Sequence, residues 1–500
     1  MVHTLRVPSL LILIALLGGF AFGADRIAAG TPSMAPNILF ILTDDLDARS
    51  IAYMPRLTSL LANRGTTFVR SFVAFPRCCP SRASILRGQY PHNHQILGNT
   101  PPGGGFRKFH TLGRERSTVG TWLKQAGYAT VLLGKYLNGY PQGVEPTFVP
   151  PGWDEWYAAL GTAGYANFNY NLNENGRIVH YGSRPEDYLT DVLTRKAADF
   201  IRRGGRAGKP MFIYLATFAP HEPATPAPRH EGAFATLRAP RVPSFNEADV
   251  SDKPQRLRAI PPLTPDAIET LDALHRKRLR SLQAVDEMIS TLIDALRDAG
   301  ELSRTYIVFT SDNGFHMGEH RLKSGKNSPY EESIRVPLIV SGPGVPEGRR
   351  AQDLTINTDL APTFAQIAGA RAPEFVDGRS LMPLLTAGQA KPREWRQSVL
   401  VEQYRNPPED PSRPQPAENE RIEGITNWQA VRSGDFLYVE YANGERELYD
   451  LSKDPYELHN LQAKADPVFL KRFSAYLAAL RQCDGASCRT AENAAPPSHR

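Results

Sequence analysis

Cys78-Cys79-Pro80-Ser81-Arg82 sets thiols, a proline, a hydroxyl and a guanidinium side by side, leading into the helix-like segment Ser81–Leu86. Pro80 suits the first turn of a helix, where its missing N–H is not needed. A nucleophile at position 78 would then face the positive end of the helix dipole and its free N–H groups, a setting for an anionic ester. The bland alternative is a buried structural cysteine. Pro80, Ser81 and Arg82 in register weaken it.

Asp44, Asp45, Asp312 and Asn313 form an all-oxygen set with three carboxylates. Such a set suits a hard cation, calcium or magnesium, far better than zinc. Three carboxylates clustered without a cation would drive one another's pKa up. Taken singly, Asp44-Asp45 reads as a helix cap and Asp312-Asn313 as a turn. Taken together after two buried strands, they read as ligands, with calcium favoured because Asp and Asn offer adaptable oxygens. Lys135, His221 and Lys326 complete the candidates: lysine supplies a point charge and histidine an adjustable proton.

These groups need a scaffold that brings them together. Asp44-Asp45 follows the apolar run Asn37–Thr43, Gly134-Lys135 follows Tyr128–Leu133, Pro220-His221 follows Met211–Thr217, and Asp312-Asn313 follows Tyr306–Thr310. Each run is long enough for a buried strand and short for a helix. In open α/β sheets ligands gather at the carboxyl ends of strands, so parallel strands would make all four sites converge. The pattern predicts an α/β fold: a large mixed, mostly parallel sheet sandwiched by helices, with a smaller α+β C-terminal domain. Val336–Val340 is a further strand, with Pro337 favouring an early or edge position.

A long helix is expected over Ala267–Ala299, from apolar residues at three- and four-residue steps, with Gly300 ending it. The Pro-rich stretch Ala219–Pro262 reads as a surface excursion that shapes a pocket. Arg405–Asn419 reads as an exposed loop. Trp428–Arg432, Phe436–Tyr441 and Glu447–Tyr449, separated by turn residues, predict an antiparallel meander, and a helix follows over Asp466–Arg481. The expected divisions are 1–24, 25–390, 391–482 and a tail, 483–500, without structure from Ala491 onward.

Residues 1–24 carry Arg6, the apolar stretch Leu10–Leu17 and small residues at Ala21–Ala24, a secretory signal pattern. The reading is export to the periplasm, the medium or a lysosome-like compartment; a retained N-terminal anchor is the alternative. No other apolar run approaches the length of a membrane span, so no stable insertion is expected. The net charge of +6 is mildly basic and diffuse. Without a Lys/Arg block or zinc-finger spacing, nucleic-acid binding has little support. Of four cysteines, Cys483 and Cys488 could close a small loop, whereas vicinal Cys78 and Cys79 pair poorly.

Cys78-Cys79-Pro80-Ser81-Arg82 resembles the core signature of the type I, formylglycine-dependent sulfatases. The resemblance extends through Pro36–Asp45, Gly134-Lys135, Ala219–Pro223, Ser311–Gly314, Lys326–Glu331 with Arg335–Pro337, Thr358–Thr363 and Asp377–Leu381. It implies an alkaline-phosphatase-like sheet and conversion of Cys78 to formylglycine by a formylglycine-generating enzyme, so that an aldehyde hydrate replaces a thiol as nucleophile. It implies one calcium ion held by Asp44, Asp45, Asp312, Asn313 and modified Cys78, with Arg82 steadying the formylglycine. Lys135, His221 and Lys326 would hold the sulfate, and His221 or Lys326 would assist the leaving group.

Gly134–Asn138, Val149–Trp153, Asn169–Asn171 and Asp187–Asp191 look most like N-acetylglucosamine-6-sulfatases and their extracellular heparan relatives, with some arylsulfatases sharing these features. Leu137 departs from the pattern, since many sulfatases place a histidine there. The implied substrate is a sulfated carbohydrate or an aryl sulfate. Alternatives are a broad arylsulfatase, a phosphoester or phosphonate hydrolase on the same fold, and a non-catalytic binder of sulfated glycans. His92, His94, His316 and His320 read as loop structure or pocket lining, because no carboxylate or third ligand is spaced for zinc.

Overall fold

The apolar runs become strands buried on both faces. The computed structural model describes residues 1–4, 35–386, 394–404 and 427–497. Its main sheet contains β1 (Asn37–Thr43), β2 (Gly65–Phe68), β3 (Ala129–Gly134), β4 (Glu155–Ala159) and β5 (Tyr170–Glu174). It continues with β6 (Arg177–Tyr181), β7 (Met211–Ala216), β8 (Thr305–Ser311), β9 (Leu338–Ser341) and β10 (Arg349–Ala351). The spatial order is β10-β2-β9-β8-β1-β7-β3-β4-β5-β6.

The centre of this sheet, β8-β1-β7-β3-β4, is parallel. β9 runs antiparallel between β8 and β2, and β5 and β6 add an antiparallel margin. The expected mixed, mostly parallel sheet is present, and the four site-bearing strands are its parallel core.

Side-chain alternation splits β1 between two cores. Ile38, Phe40 and Leu42 enter one, and Leu39 and Ile41 enter the other. Each fully buried side chain contributes roughly 1.5–3 kcal/mol, so a polar residue at Phe40 would break the sheet at its middle strand. α1 (Cys78–Arg87), α2 (Val119–Gln125) and, later in the chain, Leu360–Ile367 pack on the Phe40 face. α3 (Leu189–Ala207) and α4 (Pro265–Asp298) cover the other through Leu193, Leu282, Val285 and Ile289. α4 starts where Thr264 accepts a hydrogen bond from the Ala267 amide and Pro265 occupies the first turn.

The C-terminal part is a second, antiparallel sheet of β11 (Ser398–Gln403), β12 (Trp428–Ser433), β13 (Phe436–Tyr441) and β14 (Arg446–Asp450). α5 (Pro467–Arg481) and α6 (Gly485–Asn493) follow. Trp428, Tyr438 and Phe473 share their core with Phe72, Tyr90 and Ile334 from the larger part. The small sheet is therefore welded to the large one.

Pro337 takes the early one of its two expected positions: it immediately precedes β9, an internal strand, and its carbonyl accepts from the Thr310 hydroxyl at 2.7 Å. Two expectations change. β11 adds a strand to the meander. Within the expected tail 483–500, α6 runs three residues into the stretch from Ala491 read as structureless, because Glu492 is buried against Arg379 (2.8 Å) and Arg396 (3.1 Å). Cys483 and Cys488 are bridged. Residues 5–24 of the expected leader, the Arg405–Asn419 loop and the boundary at 390 lie outside the described residues. Among the described residues, no helix is long and apolar enough to cross a membrane.

Candidate active site

The ends of the parallel strands are stitched together by backbone hydrogen bonds. Asp44 N–H donates to the Ala219 carbonyl (3.2 Å), Thr217 N–H to Leu42 (2.9 Å), Lys135 N–H to Ala216 (2.9 Å) and Asp312 N–H to Thr43 (3.1 Å). Gly134 makes the Lys135 approach possible: its φ is +95°, and a Cβ there would lie 1.9 Å from the Ala216 carbonyl oxygen. Asp45 also adopts a positive φ, +62°, which aspartate tolerates better than most residues. The four polar sites thus meet at one end of the sheet, as the strand pattern predicts.

α1 delivers the fifth component. Arg77 precedes it in an extended conformation, and Gly88 ends it in the left-handed region. Cys78 therefore occupies the first helical position. The Asn99 side chain accepts from the Cys79 amide at 2.9 Å, satisfying one free helix donor. One turn on, Arg82 donates to Asp312 Oδ2 (2.8 Å) and to the Lys135 carbonyl (3.0 Å), and lies 3.8 Å from Asp44 Oδ1. Ser81 donates to the Asp312 carbonyl.

Around Cys78 the distances are short. Lys326 Nζ lies 2.9 Å from the Cys78 sulfur and 2.6 Å from Asp45 Oδ1. Asp44 Oδ1 is 3.4 Å from the same sulfur, and Lys135 Nζ donates to Asp44 Oδ2 at 2.5 Å. Asn313 Nδ2 donates to Asp45 Oδ1 (2.7 Å), and the Asp45 amide donates to Asp312 Oδ1 (3.1 Å). His221 Nδ1 donates to the Glu222 carbonyl at 2.6 Å, which leaves Nε2 facing Asp45 Oδ2 at 3.5 Å.

Burial dominates the electrostatics. It pushes Asp312 up to about 6, assisted by the charge of Asp44 and only partly offset by Arg82. At Asp45 burial acts in the same direction, but Lys326, then His221 and Lys135, outweigh it and hold the carboxyl well below its usual range. Burial opposes the charge of both lysines; Asp44 beside Lys135 and Asp45 beside Lys326 more than compensate, so both ammoniums persist. His221 is pushed down to about 3 by burial, then by the lysines. Burial followed by Asp44 raises the Cys78 thiol far above its usual pKa, leaving a sulfur too fully protonated to be an effective nucleophile.

The donor set fits a hard divalent cation. Asp44, Asp45 and Asp312 are buried, and Asn313 Oδ1 is a buried acceptor without a hydrogen-bond donor among the described residues. Every expected ligand, Asp44, Asp45, Cys78, Asp312 and Asn313, is brought into this one cluster. His221 is an addition, since one atom each from Asp44, Asp45, Cys78 and His221 lies within 4.8 Å of the others. Both Asp312 oxygens already accept hydrogen bonds, so it holds the site partly through Arg82 and the Asp45 amide.

A cavity of about 560 Å³ opens over the cluster, within the range of small-molecule sites. Asp45, Lys135, His221 and Lys326 form its charged floor; amide, hydroxyl and aromatic groups such as Asn138, Thr162 and Tyr165 line its walls. Leu137, where the resemblance leads one to expect histidine, is also in the wall. Tyr165 escaped the sequence reading: its ring lies 4.8 Å from Lys135 Nζ and 4.4 Å from the His221 ring, in a turn without periodicity. Arg278 also escaped it. From within α4, Arg278 donates to the carbonyls of Asp45 (2.5 Å) and Pro220 (3.2 Å), bracing two site loops. Its signal was present, a cation on the same helical stripe as Leu271, Val285 and Leu292.

The other histidines stay outside this cluster. His92 pairs with Glu402 at 2.8 Å, His94 with the Ser84 hydroxyl at 3.0 Å, and His316 donates to the Lys323 carbonyl at 2.7 Å.

Comparison with known proteins follows the same lines. The sulfatase family profile matches residues 36–370, and the profile of the N-sulphoglucosamine sulphohydrolase C-terminal region matches 318–481. Human N-acetylglucosamine-6-sulfatase is 37% identical over 97% of this chain and 90% of its own length. A putative extracellular sulfatase Sulf-1 homolog of Caenorhabditis elegans is 38% identical over 74% of this chain, which spans about half (53%) of that relative. A structure solved with its substrate D-glucosamine-2-N,6-O-disulfate superposes with a TM-score of 0.73 at 24% identity, over 93% of this chain and all of that one. That likeness concerns the fold.

Proposed function

We propose that this chain, which belongs to the sulfatase family and is a sulfuric ester hydrolase, removes 6-O-sulfate from N-acetylglucosamine units of sulfated glycans. The reading uses formylglycine derived from Cys78 and one calcium ion. It rests foremost on one juxtaposition: Lys326 Nζ stands between the Cys78 sulfur and Asp45 under an open, polar-walled cavity. The substrate follows from the 37% identity to an N-acetylglucosamine-6-sulfatase across nearly the whole chain.

Asp44, Asp45, Asp312 and Asn313 would hold the calcium, which supplies Lewis-acid stabilisation of charge developing on the ester oxygens. Converted to formylglycine, position 78 supplies a hydrated aldehyde, a nucleophile whose second hydroxyl allows the carbonyl to re-form. The sulfur atom of Cys78 marks where that group begins. Asp44 Oδ1, 3.4 Å away, is the nearest carboxylate oxygen and the acceptor for a proton from a hydroxyl at this position.

Lys135 and Lys326 meet the negative ester oxygens with ammoniums kept charged by their aspartate neighbours, at the N-terminus of α1. Between the two expected proton donors, Lys326 carries the role. His221 is neutral in the free site, and its one ring proton is engaged by the Glu222 carbonyl. Lys326 has a proton to give to the leaving alkoxide, while His221 Nε2, a lone pair, can accept from a sugar hydroxyl beside the ester. Arg82 holds Asp312 and the Lys135 backbone in place. Export, expected from the leader pattern, would bring the enzyme to extracellular glycans.

A tryptic digest of protein from its native source tests the nucleophile, because Arg77 and Arg82 bracket the peptide. A mass matching formylglycine is expected; finding cysteine alone defeats the catalytic reading. Asp312→Ala is expected to abolish sulfate release with the melting curve retained, and unchanged turnover would remove Asp312 from the site. A panel of 6-O-sulfated glucosamine, aryl sulfates and phosphonate esters decides the substrate.

A further inference from the structure

A second cluster of buried ligands lies away from the active site. One atom each from His320, Glu332 and Glu457 lies within 4.8 Å of the others. His320 and Glu457 are at most 1% exposed, and the Glu332 side chain is 7% exposed. Each of the three has one polar atom held by a partner and a second with none. His320 Nδ1 lies 2.7 Å from Glu247 Oε2 and donates to it. Arg49 donates to Glu332 Oε1 at 3.1 Å, and the Glu331 amide donates to Glu457 Oε2 at 3.1 Å. Left over are His320 Nε2, Glu332 Oε2 and Glu457 Oε1, all buried and without hydrogen-bond partners among the described residues.

With Nδ1 carrying the ring proton, Nε2 is a bare lone pair. The leftover atoms are thus an imidazole lone pair and two carboxyl oxygens, in a place where an unsatisfied polar atom is costly. The nearby cations are turned elsewhere: Arg49 spans Glu319 and Glu332 Oε1, and Lys253 lies against the Glu457 carbonyl and Glu247.

We infer that His320, Glu332 and Glu457 form a second divalent-cation site, of the zinc class, distinct from the all-oxygen calcium site. One imidazole and two carboxylates suit zinc, which accepts three protein ligands with water in the fourth position. Glu247 on His320 Nδ1 is the carboxylate–histidine arrangement that fixes a metal-binding ring. The distance arguments available from sequence could not see Glu457, which arrives from the loop after β14. Such an ion would tie that loop to both ends of the segment His320–Glu332, which carries Lys326.

The full-length, calcium-saturated protein is equilibrated with zinc chloride, desalted and assayed by elemental analysis, with Co²⁺ absorption as a second readout. One zinc per chain is expected, with calcium content unchanged, retention in Asp312→Ala and a higher melting temperature. His320→Asn and Glu457→Gln should weaken zinc binding at least about 100-fold, and Glu247→Gln by about 10–100-fold. If the ligand variants fail to fold, Glu247→Gln and the wild-type cobalt spectrum still decide the matter. Failure of the wild-type chain to take up zinc or cobalt, or equal uptake by the folded variants, overturns the site.

Discussion

At the ends of β1, β3, β7 and β8 the buried charges crowd around two adjacent aspartates, whereas at the junction with the C-terminal sheet they bridge one part of the chain to the other. Asp45 is shared by Lys326, His221 and Asn313, and Asp44 by Lys135, Arg82 and Cys78. Of these, Asp45, Lys135, His221 and Lys326 line the cavity. At the junction Arg396 is spread over both oxygens of Asp359 and reaches Glu492, Arg432 meets Glu331 at 2.6 Å, and His92 meets Glu402. These side chains tie the two sheets together, Arg396 and Asp359 with no exposure and His92 15% exposed. Buried ion pairs of similar length therefore serve opposite ends: around the cavity for chemistry, across the joint for cohesion.

The contrast makes separable predictions. Lys326→Ala should lower kcat about 10⁴-fold, by removing a proton donor and a counter-charge together, while the chain still melts cooperatively within a few degrees of wild type. A large fall in stability with activity preserved would place Lys326 with the pairs of the joint. Arg396→Ala should do the reverse. It leaves Asp359 buried without its cation and Glu492 held by Arg379 alone, at a cost of about 3–5 kcal/mol in denaturant unfolding, with kcat per folded molecule unchanged.

A smaller effect is expected at His92. Burial opposes its charge, yet Glu402 raises its pKa from 6.5 to about 9. The resulting stabilisation, at most about 3 kcal/mol by linkage, is complete below pH 6.5 and is lost as pH rises through 9. His92→Gln should flatten that stretch of the stability–pH curve; an unaltered slope would remove the pair from the joint's energetics.

The strand ends were legible because each apolar run stops at a polar pair, and a parallel sheet puts those stops on one edge. Asp44, Asp45, Lys135, His221, Asp312 and Asn313 converge as that reasoning requires, and Cys78 and Lys326, which end none of those strands, join them. The junction was much less legible. β11 carries buried Glu402 and Gln403, which interrupt an apolar pattern and disguise a strand. α6 has an Ala- and Ser-rich composition, and its anchor, Glu492, gains meaning only through Arg379, Arg396 and Tyr90, all remote in sequence. Arg278 lay within a correctly read helix, yet its task depends on two carbonyls that no periodicity reveals.

The complete burial of Cys78 sets an order of events in biosynthesis. A side chain sealed at the first position of α1, behind the lysines, is out of reach of another macromolecule once the sheet has closed. The conversion proposed for this position would therefore belong to the nascent or unfolded chain, and material that folded first would be committed to remaining a thiol. Output of competent enzyme would then be set by a race between maturation and folding.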